Sequence, residues 1–116
     1  MSAGREVQRR IFGEAIDRMV AQAPEDQRHV QAHLAANCFG DFDTRTGLNL
    51  KMRELLTFTL LAAMGGCEPQ LAGHVVGNLA VGNDRQRLIS AVIQVLPLIG
   101  HPRTLNALRV INEGMS

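Results

Sequence analysis

The chain has 116 residues, and its 12 lysine and arginine residues nearly balance 11 aspartate and glutamate residues, leaving a net charge of +1. This length suits a single domain over residues 1–116, and a hydrophobic content of 46% excludes a disordered chain. Because the arginines are scattered and Trp and Tyr are absent, we expect no nucleic-acid partner. Aromatic residues make up only 3%, so the core must be aliphatic, which is typical of a helical bundle.

Hydropathy and cysteine content indicate the cellular compartment. The longest strongly apolar stretch, residues 55–64, is too short to cross a bilayer and contains two threonines. The first residues lack an apolar signal core, so we expect a cytoplasmic protein with no membrane partner. Cys38 and Cys67 are the only cysteines, and in a reducing compartment we expect both to remain thiols.

Two helices are predicted in the first third of the chain. Apolar residues recur at helical spacing over residues 5–22, with charged residues on the opposite face. Pro24 is a typical first-turn residue and Gly40 a typical stop, so they bound a second helix. Its inward-facing residues are expected to be Val30, Leu34 and Cys38. Residues 40–47, rich in Asp, Thr and Gly, are predicted to form a loop.

The third predicted helix, residues 48–64, is apolar on nearly all sides beyond Glu54. A helix without a polar face is buried all round, which in so short a chain indicates a partner subunit. The Gly65–Gly66 pair ends this helix. A fourth helix starts at Pro69 and ends at Gly82.

Two more helices complete the prediction. Asn83 and Gln86 have the spacing of a capping box for a fifth helix that closes at Gly100, and Pro102 opens a sixth that ends at Gly114. Their inward-facing residues are expected to be Leu88, Ile89, Val92, Ile93, Leu105, Leu108 and Ile111. No segment alternates with period two, so the predicted fold is an all-α bundle of six helices with short connections.

A carboxylate and an imidazole on consecutive helices are the most informative feature. Glu54 lies in the long apolar helix and His74 in the next one. The tight turn at Gly65–Gly66 makes these helices antiparallel neighbours. Burying the two groups is costly unless they meet a partner or a ligand, and a paired carboxylate and histidine is the usual arrangement for acid–base chemistry.

Steps of three and four residues place four polar side chains on one face of the fourth helix: Cys67, Gln70, His74 and Asn78. Each candidate also has a purely structural interpretation. A histidine on an apolar helix is more often a satisfied core residue, and an acid in the first turn is favoured by the helix dipole. A lone cysteine is most often a small buried hydrophobic residue. Arg45 and Arg53 are explained equally well as ordinary surface cations.

The remaining histidines give weaker signals. His29 and His33 lie four residues apart, a spacing that can bind zinc, but no third ligand accompanies them. We therefore interpret them as part of a solvated face and expect no metal site. His101, before Pro102, either simply opens a helix or lines a pocket.

The motifs in chain order are Phe39-Gly40-Asp41, Arg45-x-Gly47-Leu48-x-Leu50-x-x-Arg53-Glu54-Leu55, His74-x-x-Gly77-x-Leu79-x-x-Gly82, and Gln94 with Gly100-x-Pro102. Together they resemble the carboxymuconolactone decarboxylase family, within the alkylhydroperoxidase D-like superfamily, over residues 39–108. The resemblance implies a small six-helix protein that assembles as a homo-oligomer, a hexamer or a trimer, with active sites near subunit interfaces. The alkylhydroperoxidase D branch carries a Cys-x-x-Cys pair, whose second position is Gln70 here, which disfavours a dithiol peroxidase.

The resemblance implies a carboxy-lyase without a cofactor, acting on a small carboxylated lactone or related oxo-acid. We expect His74 to donate the proton and Glu54 to orient His74 or to relay a proton to it. Arg45 or Arg53 is expected to bind the substrate carboxylate. Further candidates are Cys67 for catalysis and Gln70, Asn78 and His101 for substrate binding. The alternatives are a thiol-dependent, peroxiredoxin-like hydroperoxide reductase using Cys67, and a ring-forming helical protein without enzymatic activity.

Overall fold

The computed structural model describes residues 3–115, and within that range it contains helices and no β-strand. The α-helices are α1 (Ala3–Phe12), α2 (Ala15–Gln22), α3 (Arg28–His33), α4 (Leu50–Met64), α5 (Glu68–Ala80), α6 (Arg85–Ile99) and α7 (His101–Gly114). A 3₁₀ turn (Glu25–Gln27) precedes α3, and a π-helical segment (Leu34–Phe42) continues it. The all-α prediction is confirmed. None of the described helices is long and apolar enough to cross a membrane.

Two compact units make up the described chain, one ending at Asn49 and the other beginning at Leu50. A single domain over the whole chain stays a prediction.

In the first unit, α1 and α2 replace the single helix predicted over residues 5–22, so the described chain has seven α-helices rather than six. The break falls at Gly13, whose φ of +66° cannot continue a right-handed helix. The apolar periodicity runs through this break, which is why the pattern alone predicts one helix. The buried apolar residues of the unit are Val7, Ile11, Ile16, Ala35 and Phe39.

The second predicted helix is also irregular. It passes from a 3₁₀ turn through α3 into the π-helical segment and continues to Phe42, beyond the stop predicted at Gly40. The inward face is wrong as well, because Val30 and Leu34 are exposed whereas Ala35 and Phe39 are buried. Hydrogen bonds of the π type span one residue more than those of an α-helix and rotate the side chains onto a different face.

In the second unit, α4 packs against α5, α6 and α7 around a continuous aliphatic core with one aromatic ring. The buried core residues are Phe58, Ala62, Leu71, Val75, Leu88, Val92, Ala107, Val110 and Ile111. The turn between α4 and α5 uses Gly65 and Gly66 with φ of +70° and +71°, as their predicted role requires. Two predicted core residues are instead exposed, Ile93 at 55% and Leu105 at 62%.

The start of α6 and the outer face of α4 also differ from expectation. Asp84, not Asn83, caps α6, and its side chain accepts a hydrogen bond from the backbone N–H of Arg87. Leu56, Leu60 and Met64 form an exposed apolar stripe along α4. The partner subunit that would cover such a stripe remains a prediction.

Candidate active site

Glu54 and His74 are in direct contact in the second unit. The Glu54 side chain is 1% exposed and that of His74 15%, and the imidazole Nδ1 is hydrogen bonded to Glu54 Oε1. At about 1.5 Å of rise per residue, Glu54 lies about 16 Å along α4 from the Gly65–Gly66 turn and His74 about 12 Å along α5. The two positions are therefore nearly level across the antiparallel pair, and the two side chains meet.

The contact distinguishes the two ring nitrogens of His74. Nδ1 is the ring nitrogen in contact with Glu54, and in the tautomer that carries a hydrogen on Nδ1 the ring donates that hydrogen to the carboxylate. Through this contact the carboxylate fixes the orientation of the ring.

A buried amide holds the backbones on both sides of this contact. Asn78 donates through Nδ2 to the carbonyl oxygen of Glu54 at 3.2 Å and to that of His74 at 2.7 Å. Its Oδ1 accepts from Asn83 Nδ2 at 2.8 Å. Asn78 is completely buried. The substrate-binding role predicted for Asn78 does not fit these bonds, because both polar atoms of its amide are already used within the protein.

Asn83 is the residue that sequence reasoning missed. It is buried, and its Nδ2 also donates to the carbonyl oxygen of Lys51 at 2.9 Å. The asparagine at this position was interpreted as a helix cap, so its contact with Asn78 was not predicted. The contact could have been inferred from the sequence, because a second asparagine follows Asn78 by about one and a half helical turns and the neighbouring Asp84 can serve as the cap.

Cys67 lies apart from the acid–base pair. It precedes His74 by seven residues, about 10 Å of helical rise, and its Sγ donates to the carbonyl oxygen of Leu61 at 3.3 Å. It lines a cavity of about 10 Å³ together with Glu68 and Arg103, which is room for about one water molecule. Neither Glu54 nor His74 lines that cavity. A catalytic role for Cys67 beside the pair is therefore not supported by its position.

The other predicted binding residues are spread over the chain. Gln70 is exposed on α5, one turn before His74, and Arg53 is half-buried on α4 beside Glu54. His101 is exposed at the start of α7, where the neighbouring Arg103 packs over Gly65 at the turn end of α4, far along the helix from Glu54. Arg45 is exposed in the loop that follows Phe42 in the first unit. Their substrate contacts stay predictions.

No metal site accompanies the pair among the described residues, since no three His, Cys, Asp or Glu side chains in residues 3–115 are grouped to hold an ion. His29 and His33 are both exposed on the short helix α3. Cys38 and Cys67 are not joined in a disulfide.

Comparison with known proteins identifies the family. No curated protein matches the chain. The model of the carboxymuconolactone decarboxylase family matches residues 28–113, well over half of the chain. The matched range includes α4, α5 and the Glu54–His74 contact. The chain therefore belongs to the carboxymuconolactone decarboxylase family.

Proposed function

We propose that the protein catalyses the cofactor-free decarboxylation of a small carboxylated lactone or a related oxo-acid. The observation that carries this proposal is the buried contact between Glu54 and His74 in a chain of this family. A carboxylate that is 1% exposed and held against an imidazole is poorly explained by stability alone, because desolvating the pair offsets much of its attraction. It is well explained by proton transfer.

In the proposed reaction, the bond between the substrate carboxylate and its neighbouring carbon breaks and carbon dioxide leaves. The electron pair of that bond passes to a carbonyl that is adjacent to this carbon in an oxo-acid, or conjugated with it through a double bond in the lactone, and forms an enolate-type anion. The imidazolium form of His74 donates the Nε2 proton to the enolate carbon, and solvent restores that proton in the next cycle. Glu54 stabilises the imidazolium through Nδ1, and Arg53, next to Glu54 on α4, binds the substrate carboxylate.

Incubation with γ-carboxymuconolactone while carbon dioxide release is followed tests the proposal. His74→Gln removes the proton donor but keeps a side-chain N–H that can reach Glu54, so we expect a folded protein with at least about a hundredfold lower turnover. The matched control is His29→Gln, which changes an exposed histidine of the first unit and should keep full activity. Full turnover in His74→Gln would refute the role of His74. Absence of carbon dioxide release by the unmodified protein, from the lactone and from small oxo-acids, would refute decarboxylation.

The thiol-dependent alternative has less support. The Cys67 thiol serves as a hydrogen-bond donor to Leu61, whereas the attacking species in peroxide reduction is a thiolate. Peroxide consumption that disappears in Cys67→Ser would favour this alternative over decarboxylation.

We also propose that the protein forms a homo-oligomer through the exposed stripe of Leu56, Leu60 and Met64 on α4. Contiguous exposed apolar side chains are typical of subunit interfaces. Leu60→Lys should lower the mass measured by light scattering, whereas Ser90→Lys, at an exposed polar position, should not. A monomeric unmodified protein would contradict the proposal.

A further inference from the structure

We propose that Asn78 and Asn83 are positioning residues, which hold α4 and α5 in the register that brings Glu54 against His74. The catalytic consequence of this inference rests on the proposed function, whereas the geometric consequence does not. Neither residue is proposed to touch the substrate.

The first step is that one amide ties together the backbones of both members of the pair. The two hydrogens on Asn78 Nδ2 go to the carbonyl oxygens of Glu54 and His74, at 3.2 and 2.7 Å. The bond to Glu54 crosses from α5 to α4, so it opposes sliding or separation of the helices at the level of the contact itself. The bond to His74 fixes the amide on its own helix.

The second step is that Asn83 fixes Asn78. Asn83 Nδ2 donates to Asn78 Oδ1 at 2.8 Å and to the carbonyl oxygen of Lys51, one turn before Glu54, at 2.9 Å. The backbone N–H of Asn83 donates to the carbonyl oxygen of Asn78 at 2.8 Å. The start of α4 is thus attached at two successive turns, to α5 by the Asn78 amide and to the segment that follows α5 by the Asn83 amide.

The orientations of the two amides follow from the backbone carbonyl groups around them. Three carbonyl oxygens, those of Lys51, Glu54 and His74, surround the two Nδ2 atoms. Flipping either amide would set oxygen against oxygen in a buried position, so the nitrogens must face the carbonyls. With Asn78 and Asn83 both buried, any unmade bond here would leave a desolvated polar atom, which strongly favours the observed register.

The register of α4 and α5 determines whether Glu54 and His74 can act together in acid–base chemistry. Acid–base groups act only within a narrow range of geometry, and a displacement of about 1 Å can lower a rate about a hundredfold. The side chains of Asn78 and Asn83 bind backbone atoms at or near Glu54 and His74 and do not bind their side chains. Their loss should therefore change the contact between Glu54 and His74 more than it changes the binding of a substrate.

The test compares Asn78→Ala and Asn83→Ala with a matched control, Thr104→Val. Thr104 is also buried in the second unit and donates through its hydroxyl to a backbone carbonyl, that of Gly100 at 2.8 Å, but it has no bond to this network. The readout is the exchange rate with water of the His74 Nδ1 proton, measured by NMR. This readout is independent of catalysis.

We expect exchange of the His74 Nδ1 proton to become at least about tenfold faster in both asparagine variants, and to stay unchanged in Thr104→Val. Where decarboxylation is observed, kcat should fall about tenfold to a hundredfold while KM stays within about twofold. Wild-type exchange in both asparagine variants, with no greater loss of kcat than in the control, would overturn the inference.

The two arms separate this inference from the proposed function. An unmodified protein that releases no carbon dioxide would end the proposed function, and the NMR comparison would still decide the positioning role. Asn83→Ala keeps both bonds that Asn78 donates and is the milder change. If Asn78→Ala does not fold, wild-type exchange of the His74 Nδ1 proton in Asn83→Ala alone overturns the inference.

Discussion

Removing His74 should leave the buried Glu54 carboxylate without a partner. Breaking a buried ion pair on one side typically costs about 3–5 kcal/mol. Glu54 is 1% exposed, but the 15% exposure of the His74 side chain lets water approach once the ring is gone, so we expect the lower end, about 3 kcal/mol, for His74→Ala. In a unit of this size that loss lowers Tm by about 12 °C or more.

Urea unfolding followed by circular dichroism measures this loss. The matched control is Arg109→Ala, which breaks the 3.9 Å pair with Glu113 on the surface of α7 and should change the free energy of unfolding by about 0.5 kcal/mol or less. Adding Glu54→Gln to His74→Ala should recover part of the loss, because a neutral amide costs less to bury than a charge. A His74→Ala variant within about 0.5 kcal/mol of the unmodified protein would refute the reasoning.

Five substitutions at the α6 cap and at glycines test the fold, and all but the last use the same unfolding measurement. Asp84→Ala should cost about 1 kcal/mol by removing the α6 cap and Asp84→Ser should restore it; equal stability of all three would contradict the cap. Gly65→Ala should lower the free energy of unfolding by about 1–2 kcal/mol because Gly65 has a positive φ. Gly73→Ala, at an open position inside α5, should raise it by about 0.5–1 kcal/mol. Effects of the same sign would be inconsistent with these conformations. Gly4→Ala would place a Cβ 1.7 Å from a backbone oxygen of the π-helical segment, so limited proteolysis should cut the first unit faster, and an unchanged rate would contradict this packing.

The helices of the second unit could be predicted closely because their ends depend on local signals. Gly65, Gly66 and Gly100 take positive φ, and Pro69 and Pro102 lie in first turns, so each boundary follows from the conformational range of one residue. The first unit was harder. Apolar periodicity continues through the break at Gly13, and nothing in residue type distinguishes a π-helical segment from an α-helix.

For the candidate site, the amino-acid sequence by itself determined the chemical groups and the helices that carry them: an acid on α4, an imidazole on α5, and a short glycine turn between the helices. Only the tertiary structure decided that Glu54 and His74 touch and that Cys67 lies elsewhere. The physical reason is that helical periodicity specifies which face a residue occupies but leaves the register between two helices open. Here that register depends on buried hydrogen bonds from Asn78 and Asn83 to backbone carbonyls, whose partners helical periodicity does not specify.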